Sequence, residues 1–543
     1  MKSWIRSFGI YFDIRFFYVW IVHSIVTLIG DSYIFNGSKV FNNLEFYVIK
    51  FMVIIALFIF WQTVGWFIKQ LKDKNVIYAL YTKHFFIYFT VMFVFLLLVW
   101  PGVWRSDDIA VFNSAKNLQI EYWQHFITTV FDVFSLMILP FPAGIVVMQI
   151  FLISNIVAYI ITKGQLIFSK SKLLYLIYVP LLSPVIIDSN LFPLRLGLYS
   201  FILLLFIFEL YYMRLQQRKI TWRRIVLWSF LISVLATWRS EAIYYAYLAP
   251  FVILFLFSKK VSYRKVIILL VISIAMTSLM NGFQEKGIKK QTNNKFKYKL
   301  TAIAEPMAAL LKQPLAGKNV DEHLAKIDRV INVELMRNYS SGAVALFYHD
   351  GIREGFNEKD YRNMMKSYIY LTLHNIGPML DNRIQNFKEA SGMKKIPNST
   401  ILNSSELTKL VAPYDQNPMY KEFVELPSNG PINASLRERV IKILEFRSID
   451  NYYLPTPFYY VFYNVVPSIL MTIYFFFYYL FKRNWGMAST IILISGSLPI
   501  IFITAPAPYF MYYQPIYLFT YVFVFIFAII RFSKVGREYR SVL

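Results

Sequence analysis

One feature limits what this chain can fold into more than any other. Runs of apolar residues close to 20 long recur along it, and one of them ends at Trp100. About 20 apolar residues is the length an α-helix needs to cross a hydrocarbon core. A helix is needed because lipid offers no partners for backbone N–H and C=O groups. Hydrophobic residues make up 57% of the 543 positions and the mean hydropathy is +0.47, which excludes a soluble globular domain. The sequence therefore predicts an all-α polytopic membrane protein, and a lipid bilayer is its first partner.

Taken in order, the runs predict spans at 14–30, 47–68, 85–100, 142–161, 173–187, 192–213, 225–238, 242–257 and 266–281. Three more close the chain at 457–481, 486–504 and 509–531, giving about twelve transmembrane helices. The N-terminal stretch MKSWIRSFGIYFDIRFF lacks a small-residue cleavage site and is expected to be retained. The balance of 56 Lys+Arg against 31 Asp+Glu resembles a nucleic-acid signal. Its placement argues otherwise, because the cations fall in short loops such as 69–83, 163–172, 214–224 and 259–265. Such loops are cytoplasmic by the positive-inside rule, so no nucleic acid is expected as a partner. With both termini cytoplasmic, every basic cluster falls on one side of a multi-pass cell-membrane protein. Between the ninth and tenth spans, residues 282–456 become dense in charge, Asn, Gly and Ser. Segments such as Asp321–Arg337 and Ala434–Phe446 mix apolar and charged positions at helical spacing, so 282–456 reads as a mostly helical extracytoplasmic domain. With no cysteine in the chain, disulfides and thiol chemistry are excluded.

The loops left outside collect ionisable residues at span ends: Asp107 and Asp108, Asp188, Arg195, and Arg239 with Glu241 in a tight turn. An ionisable group at membrane depth is costly and asks for a partner or a role. In the stretch Trp100–His125, Pro101–Gly102 ends a helix, an Arg–Ser step leads to the two acids, and a Trp/Tyr/Phe-rich segment suited to the membrane interface follows. Ile127, Val130, Phe131 and Phe134 then lie along one helix face, so loop 101–141 is expected to carry interfacial helices. Two readings stay open. In one, the acids merely cap a helix and Arg239 merely pairs with Glu241 or Asp188 to lock helices. In the other, the acids face a cavity for catalysis and the arginines hold a phosphate, for which guanidinium is suited. His125 lies in the interfacial segment as a further binding candidate. His323, His349 and His374 show no zinc-ligand spacing, so no metal site is expected.

These motifs, in this order and on this side, resemble the GT-C superfamily of polytopic membrane glycosyltransferases, and within it an uncharacterised bacterial branch. The residues that carry the resemblance are PGVWRSD (101–107), YWQH (122–125), WRSEAIYY (238–245) and APYFMYYQP (507–515). It covers about 85–281 and 457–531, which divides the chain into two added helices at 1–84, a GT-C-like module at 85–281, the external domain 282–456, and helices with a basic tail at 457–543. Two features depart from the pattern: the acid loop follows the third span and not the first, and Met511 stands where related chains often have a basic residue.

The resemblance implies transfer of a sugar from a polyprenyl-phosphate-linked donor to a cell-surface glycan or cell-wall polymer on the outer face. Asp107 matches the superfamily's acid and Asp108 is its neighbour. Arg239 and Arg195 would serve the phosphate, with Glu241, Asp188 and His125 as further substrate contacts. No cofactor is implied; some members use a divalent metal, but one acid pair without a clear third ligand favours none. Two other functions fit a chain of this architecture. One is a polysaccharide polymerase of the O-antigen type, which relies on arginine-rich external loops. The other is a non-enzymatic lipid or sugar transporter, which calls for polar mid-span residues and internal repeats that this chain lacks.

Overall fold

The structure is a computed structural model. It describes residues 12–35, 40–121, 124–168, 172–257, 261–292, 296–339, 342, 345–346, 349–393, 418–448, 455–505 and 509–532. Every named element among them is helical. The chain opens with α1 (Ile14–Ile34), α2 (Leu44–Lys72) and α3 (Val76–Leu98). Each begins on an Asp or Asn whose side chain accepts a first-turn N–H: Asp13 from Arg15, Asn43 from Glu45, Asn75 from Ile77. This N-cap chemistry fixes where each helix starts. Two short helices follow, α4 (Ser106–Lys116) and α5 (Phe126–Ile138), and then the long α6 (Ala143–Ile167).

The next span is broken. A 3-10 turn at Lys172–Ile177 runs into α7 (Tyr178–Leu181), and after Leu182–Ser183 the chain restarts as α8 (Pro184–Leu191), bent by 53°. Pro184 lies at the first turn of α8, where a missing N–H costs nothing, and it prevents α7 from continuing through it. Then come α9 (Leu196–Leu215), α10 (Trp222–Trp238), α11 (Tyr245–Leu256) and α12 (Tyr263–Thr292).

Among the described residues nine helices are long and apolar enough to cross a membrane, and the bent pair makes a tenth. The segments expected at 225–238 and 242–257 are helical, but α10 and α11 have only 17 and 12 residues. At 1.5 Å per residue they reach about 26 and 18 Å, short of a hydrocarbon core of roughly 30 Å. Their chain is used for the turn at Arg239–Ala242, which holds part of the site.

The bundle has a centre and a rim. In α9, 83% of the apolar window is buried, against 17% in α1 and 22% in both α2 and α3. The first three helices thus turn broad apolar faces outward, where hydrocarbon can cover them. They are tied to the rest at their ends. Lys50 in α2 pairs with Asp31 in α1 at 2.7 Å and donates to the Met137 carbonyl at 3.2 Å. His23 meets the Ile138 carbonyl at 3.1 Å. These two groups sit at the C-terminal end of α5, where orphan carbonyls and the helix dipole favour donors and cations.

The charged segment between α12 and the closing helices is not one body of core. Its first part holds α13 (Lys297–Leu311), α14 (Val320–Asp328), α15 (Val333–Asn338) and α16 (Glu358–His374). These bury a core of their own, with Met307, Ile327, Ile331, Met336 and Met364 fully enclosed. Its second part comprises α17 (Ile376–Ala390), α18 (Pro418–Glu425) and α19 (Ala434–Leu444). There Ala390, Phe423, Ile441 and Leu444 join the core of the membrane bundle. The chain then closes with α20 (Tyr459–Phe462), α21 (Val466–Phe481), α22 (Trp485–Ser495), α23 (Ser497–Thr504) and α24 (Gln514–Phe532).

The two ends of the bundle differ. At one end Arg214 reaches Asn484 at 2.8 Å and Lys265 reaches the Ile220 carbonyl at 2.7 Å, close to Arg218 and Arg224. At the other gather the acid loop, Asp188, Arg195, the Arg239 turn and α18–α19. Val103 N donates to the Leu191 carbonyl at 3.0 Å, and Gly102 has φ +115°. A Cβ at Gly102 would meet the Leu191 oxygen and a Val146 methyl, each at 3.0 Å, so this turn needs glycine for both its conformation and its contacts.

Candidate functional site

The acids sit where an apolar helix gives way to a braced turn. Val99 to Arg105 forms the turn, and Arg437 of α19 holds it from behind. The Arg437 guanidinium donates to the Val99 carbonyl at 3.3 Å and the Gly102 carbonyl at 3.0 Å. Trp100 donates to the Ser428 carbonyl at 2.8 Å, Trp104 packs on Phe423 with ring centroids 4.7 Å apart, and Lys116 pairs with Glu422. The second part of the charged segment, α17–α19, is therefore a support for the acid loop.

The two acids have different surroundings. Asp108 is buried at 3% exposure, and its carboxylate accepts the Arg105 N–H at 3.0 Å, closing the N-terminus of α4. The capping reading fits Asp108. Asp107, one residue earlier, is exposed. Protein crowds it on its other sides and pushes its carboxyl above the usual carboxylate range, while Arg105 and Arg195 pull it back down. A raised but solvent-reachable carboxyl suits proton exchange.

Behind Asp108 stands an acid that sequence reasoning missed. Asp132 of α5 is 2% exposed, and burial, followed by the neighbouring Asp108 carboxylate, pushes its carboxyl well up. The signal that could have found it is a lone acid within the apolar stretch Val130–Phe134. The stripe expected to define this helix, Ile127, Val130, Phe131 and Phe134, is its more exposed face, where a bilayer would cover it. The buried face carries Thr128, Thr129, Asp132 and Ser135.

Others of the expected residues lie within electrostatic reach of Asp107 or of its neighbours. Arg195 donates to the Trp238 carbonyl at 2.9 Å, capping the end of α10, and lies within electrostatic reach of Asp107, His125 and Glu241. Arg239 and Glu241 form an ion pair, with the Arg239 guanidinium 5.7 Å from both the Tyr199 and Tyr512 rings. Tyr512 in turn lies within electrostatic reach of Asp107. The helix-locking partner of Arg239 is thus Glu241, while its Nη1 makes no hydrogen bond. Comparison with family models, curated proteins and solved structures finds no match. The chemistry has to be read from the groups themselves.

His125 is 4% exposed and packs on Phe126 with centroids 4.6 Å apart; Tyr122 and Trp123 of the same motif lie outside the described residues. Burial, then the Arg195 charge, depress its imidazole to about 3. The ring is neutral at physiological pH, so it serves as a polar packing group and not as a cation. A folded-state value below the unfolded value of about 6.5 means that stability is full above that pH and is lost as pH falls toward 3. Between pH 7 and pH 5, thermal unfolding of the purified protein should fall more for the wild type than for His125→Gln. Equal falls would remove this role.

Asp188 lies on α8 with its Oδ2 accepting the Tyr463 hydroxyl at 3.0 Å. It is within electrostatic reach of Arg105 and of Arg447, from the chain just after α19. Arg105 lies over the Phe192 ring at 3.6 Å, which places its guanidinium between Asp107 and Asp188. Neither Arg105 nor Arg447 stood out in the sequence. Arg105 looked like a step into the acids, and Arg447 lies 340 positions beyond Asp107, in a segment read as separate from the site. Among the described residues no three His, Cys, Asp or Glu side chains come together as a metal site.

Proposed function

We propose that this chain is a membrane glycosyltransferase of the GT-C type. It moves a sugar from a polyprenyl-phosphate-linked donor to a cell-surface glycan or cell-wall polymer at the face where the acids gather. The observation that supports this best is an exposed Asp107 within electrostatic reach of both Arg105 and Arg195. An acceptor hydroxyl attacks the donor's anomeric carbon, and its proton passes to the Asp107 carboxylate as the new C–O bond forms. The bond from that carbon to the phosphate oxygen breaks, and the lipid phosphate leaves with the electron pair. Guanidinium groups stabilise its growing charge. Arg195 and Arg105 are placed for this, and Arg239 supports them from behind its pair with Glu241. The mechanism derived from these residues uses no metal.

The arginines gathered at this face also favour a second reading, a polysaccharide polymerase that moves a whole oligosaccharide unit. Purified protein reconstituted in lipid vesicles separates the two. Transfer from a polyprenyl-phosphate monosaccharide supports the first. Transfer only from a lipid-linked oligosaccharide supports the second, and turnover of neither discards both.

The same reading places this face outside the cytoplasm, with both termini and the basic end inside. The chain has no cysteine, so single cysteines report topology directly. In intact cells an impermeant thiol reagent should label Asp350→Cys and leave Arg218→Cys unlabelled. The reverse pattern would invert the orientation.

A further inference from the structure

A stripe of aliphatic side chains stands exposed where the charged segment meets the bundle. Ile369 and Leu373, near the end of α16, are 51% and 67% exposed, and Ile376, Leu380 and Ile384 of α17 are 52%, 40% and 41% exposed. Steps of four residues keep the members of each set on one face of their helix. Asn375 fixes the corner between the two helices. Its amide donates to the Ala316 and Leu371 carbonyls at 2.9 and 2.8 Å, and its oxygen accepts the Ala316 N–H at 2.7 Å. Asp381, Gln385 and Lys388 lie farther round α17, so the helix is amphipathic. An exposed apolar patch rimmed by polar groups marks an interaction surface.

Three observations say what this stripe meets. The first is the level at which α17 is held. Arg383, fully buried, donates to the Ala505 carbonyl at 2.8 Å and to the Ile503 carbonyl at 3.5 Å, and Asn386 donates to the Ala505 carbonyl at 3.4 Å. These carbonyls close Trp485–Thr504, a helix long and apolar enough to cross a membrane. Phe387 packs on Phe502 and Tyr513, with centroids 6.3 and 5.6 Å apart, and another such helix, α24, begins at Gln514. So α17 lies against the ends of two spans. The second is continuity. Ile492 and Ile503 are 47% and 48% exposed, so the span carries outward aliphatic surface up to the end where α17 is tied. The third is composition. The stripe holds only Ile and Leu, whereas contacts between proteins are enriched in Tyr, Trp, Met and Arg.

We propose that the stripe from Ile369 to Ile384 is a lipid contact. The corner of α16 and α17 rests in the leaflet at the acid end of the bundle, with its aliphatic face about 5–10 Å into the boundary between headgroups and acyl chains, as interfacial helices lie. Asp381, Gln385 and Lys388 face the headgroups. The charged segment is thereby seated on the membrane between its separate core, α13–α16, and the brace α18–α19. This inference rests on the bundle being in a bilayer and not on the glycosyltransferase reading.

The test uses the full-length, cysteine-free chain with one nitroxide label at a time, in nanodiscs of phosphatidylcholine and phosphatidylglycerol. Leu373→Cys and Leu380→Cys report the stripe, and Asp381→Cys the polar face of α17. Ile492→Cys reports the middle of a span, and Lys359→Cys the far end of α16. Saturation of the electron paramagnetic resonance signal reads collisions with oxygen, which concentrates in hydrocarbon, and with a water-soluble nickel chelate. Relative to Lys359→Cys and Asp381→Cys, the two stripe labels should favour oxygen over nickel several-fold, yet less than Ile492→Cys does. Stripe labels that meet nickel as freely as Lys359→Cys would put the stripe in water. Stripe labels that meet neither reagent would show a cover of protein, from a second copy or another part of the chain. Either result overturns the proposal. Sugar transfer does not enter the measurement, so the seat on the membrane and the reaction stand or fall separately.

Discussion

Asp107→Asn is expected to slow sugar transfer by about 10²–10⁴-fold, the range that loss of a general base costs. The variant keeps the shape and hydrogen-bonding edge of the side chain. Folding, membrane insertion and donor binding should stay close to wild type, because the loop is held by Arg437, Trp100 and Trp104 and not by the carboxyl. Asp108→Asn should act differently. Its carboxylate caps α4 at the Arg105 N–H, and a lost cap costs about 1 kcal/mol of stability. The pH profile carries the same assignment. Protonated Asp107 cannot accept a proton, so activity should fall on the acid side. The fall should come at a higher pH than for an ordinary aspartate, because burial raises this carboxyl. Near-normal transfer by Asp107→Asn together with failure of Asp108→Asn would mean that the acids are assigned the wrong way round. Normal transfer by the double variant would take the acid loop out of the mechanism.

Lys50→Met should cost about 3–5 kcal/mol, the usual consequence of removing one partner from a buried ion pair. Lys50 and Asp31 are 4% and 3% exposed and 2.7 Å apart, enclosed between α1, α2 and the end of α5. The substitution leaves Asp31 facing an apolar side chain and takes a donor from the Met137 carbonyl. The double variant Lys50→Met, Asp31→Leu should recover most of the loss, since a well-packed apolar pair in such a place is often neutral or stabilising. Thermal unfolding of the purified variants in detergent decides it. A double variant as unstable as the single one would show that the contact with α5, and not the charge pair, is what matters.

Much of this arrangement was legible in the sequence, for a definite reason. A residue such as Asp107, Arg195 or Glu241 is conspicuous because it is an ionisable group at the edge of an apolar run. Helices that run back and forth along the bundle bring Asp107, Asp188, Arg195 and Arg239 to the same end. Other groups were hidden. Asp132 lies in a helix whose apolar stripe is real but faces outward, so the pattern drew attention to the wrong side. Arg437 and Arg447 sit in a charged segment where one more arginine carries no signal. Their partners, the carbonyls of Val99 and Gly102 and the carboxylate of Asp188, lie hundreds of positions away. Periodicity reports which face of a helix is apolar; it does not name what that face meets. Span length was the other limit. Apolar composition marked 225–238 and 242–257 and the tight turn between them, but not that the second helix has only 12 residues.

The brace behind the acid loop also sets an order of events in the cell. Arg437 reaches back 338 positions to the Val99 carbonyl. At about 5–20 residues per second, a ribosome needs roughly 20–70 s to make the chain between them. Throughout that interval α3 and the acid loop have already been delivered to the membrane while the segment that closes the turn does not yet exist. A chain stalled before residue 418 carries Asp107 without α18 and α19, which make its support. The loop reaches its final form only after the apolar helices between it and α18 have been made, so a half-made copy lodged in the insertion machinery has no finished site to present to the lipids around it.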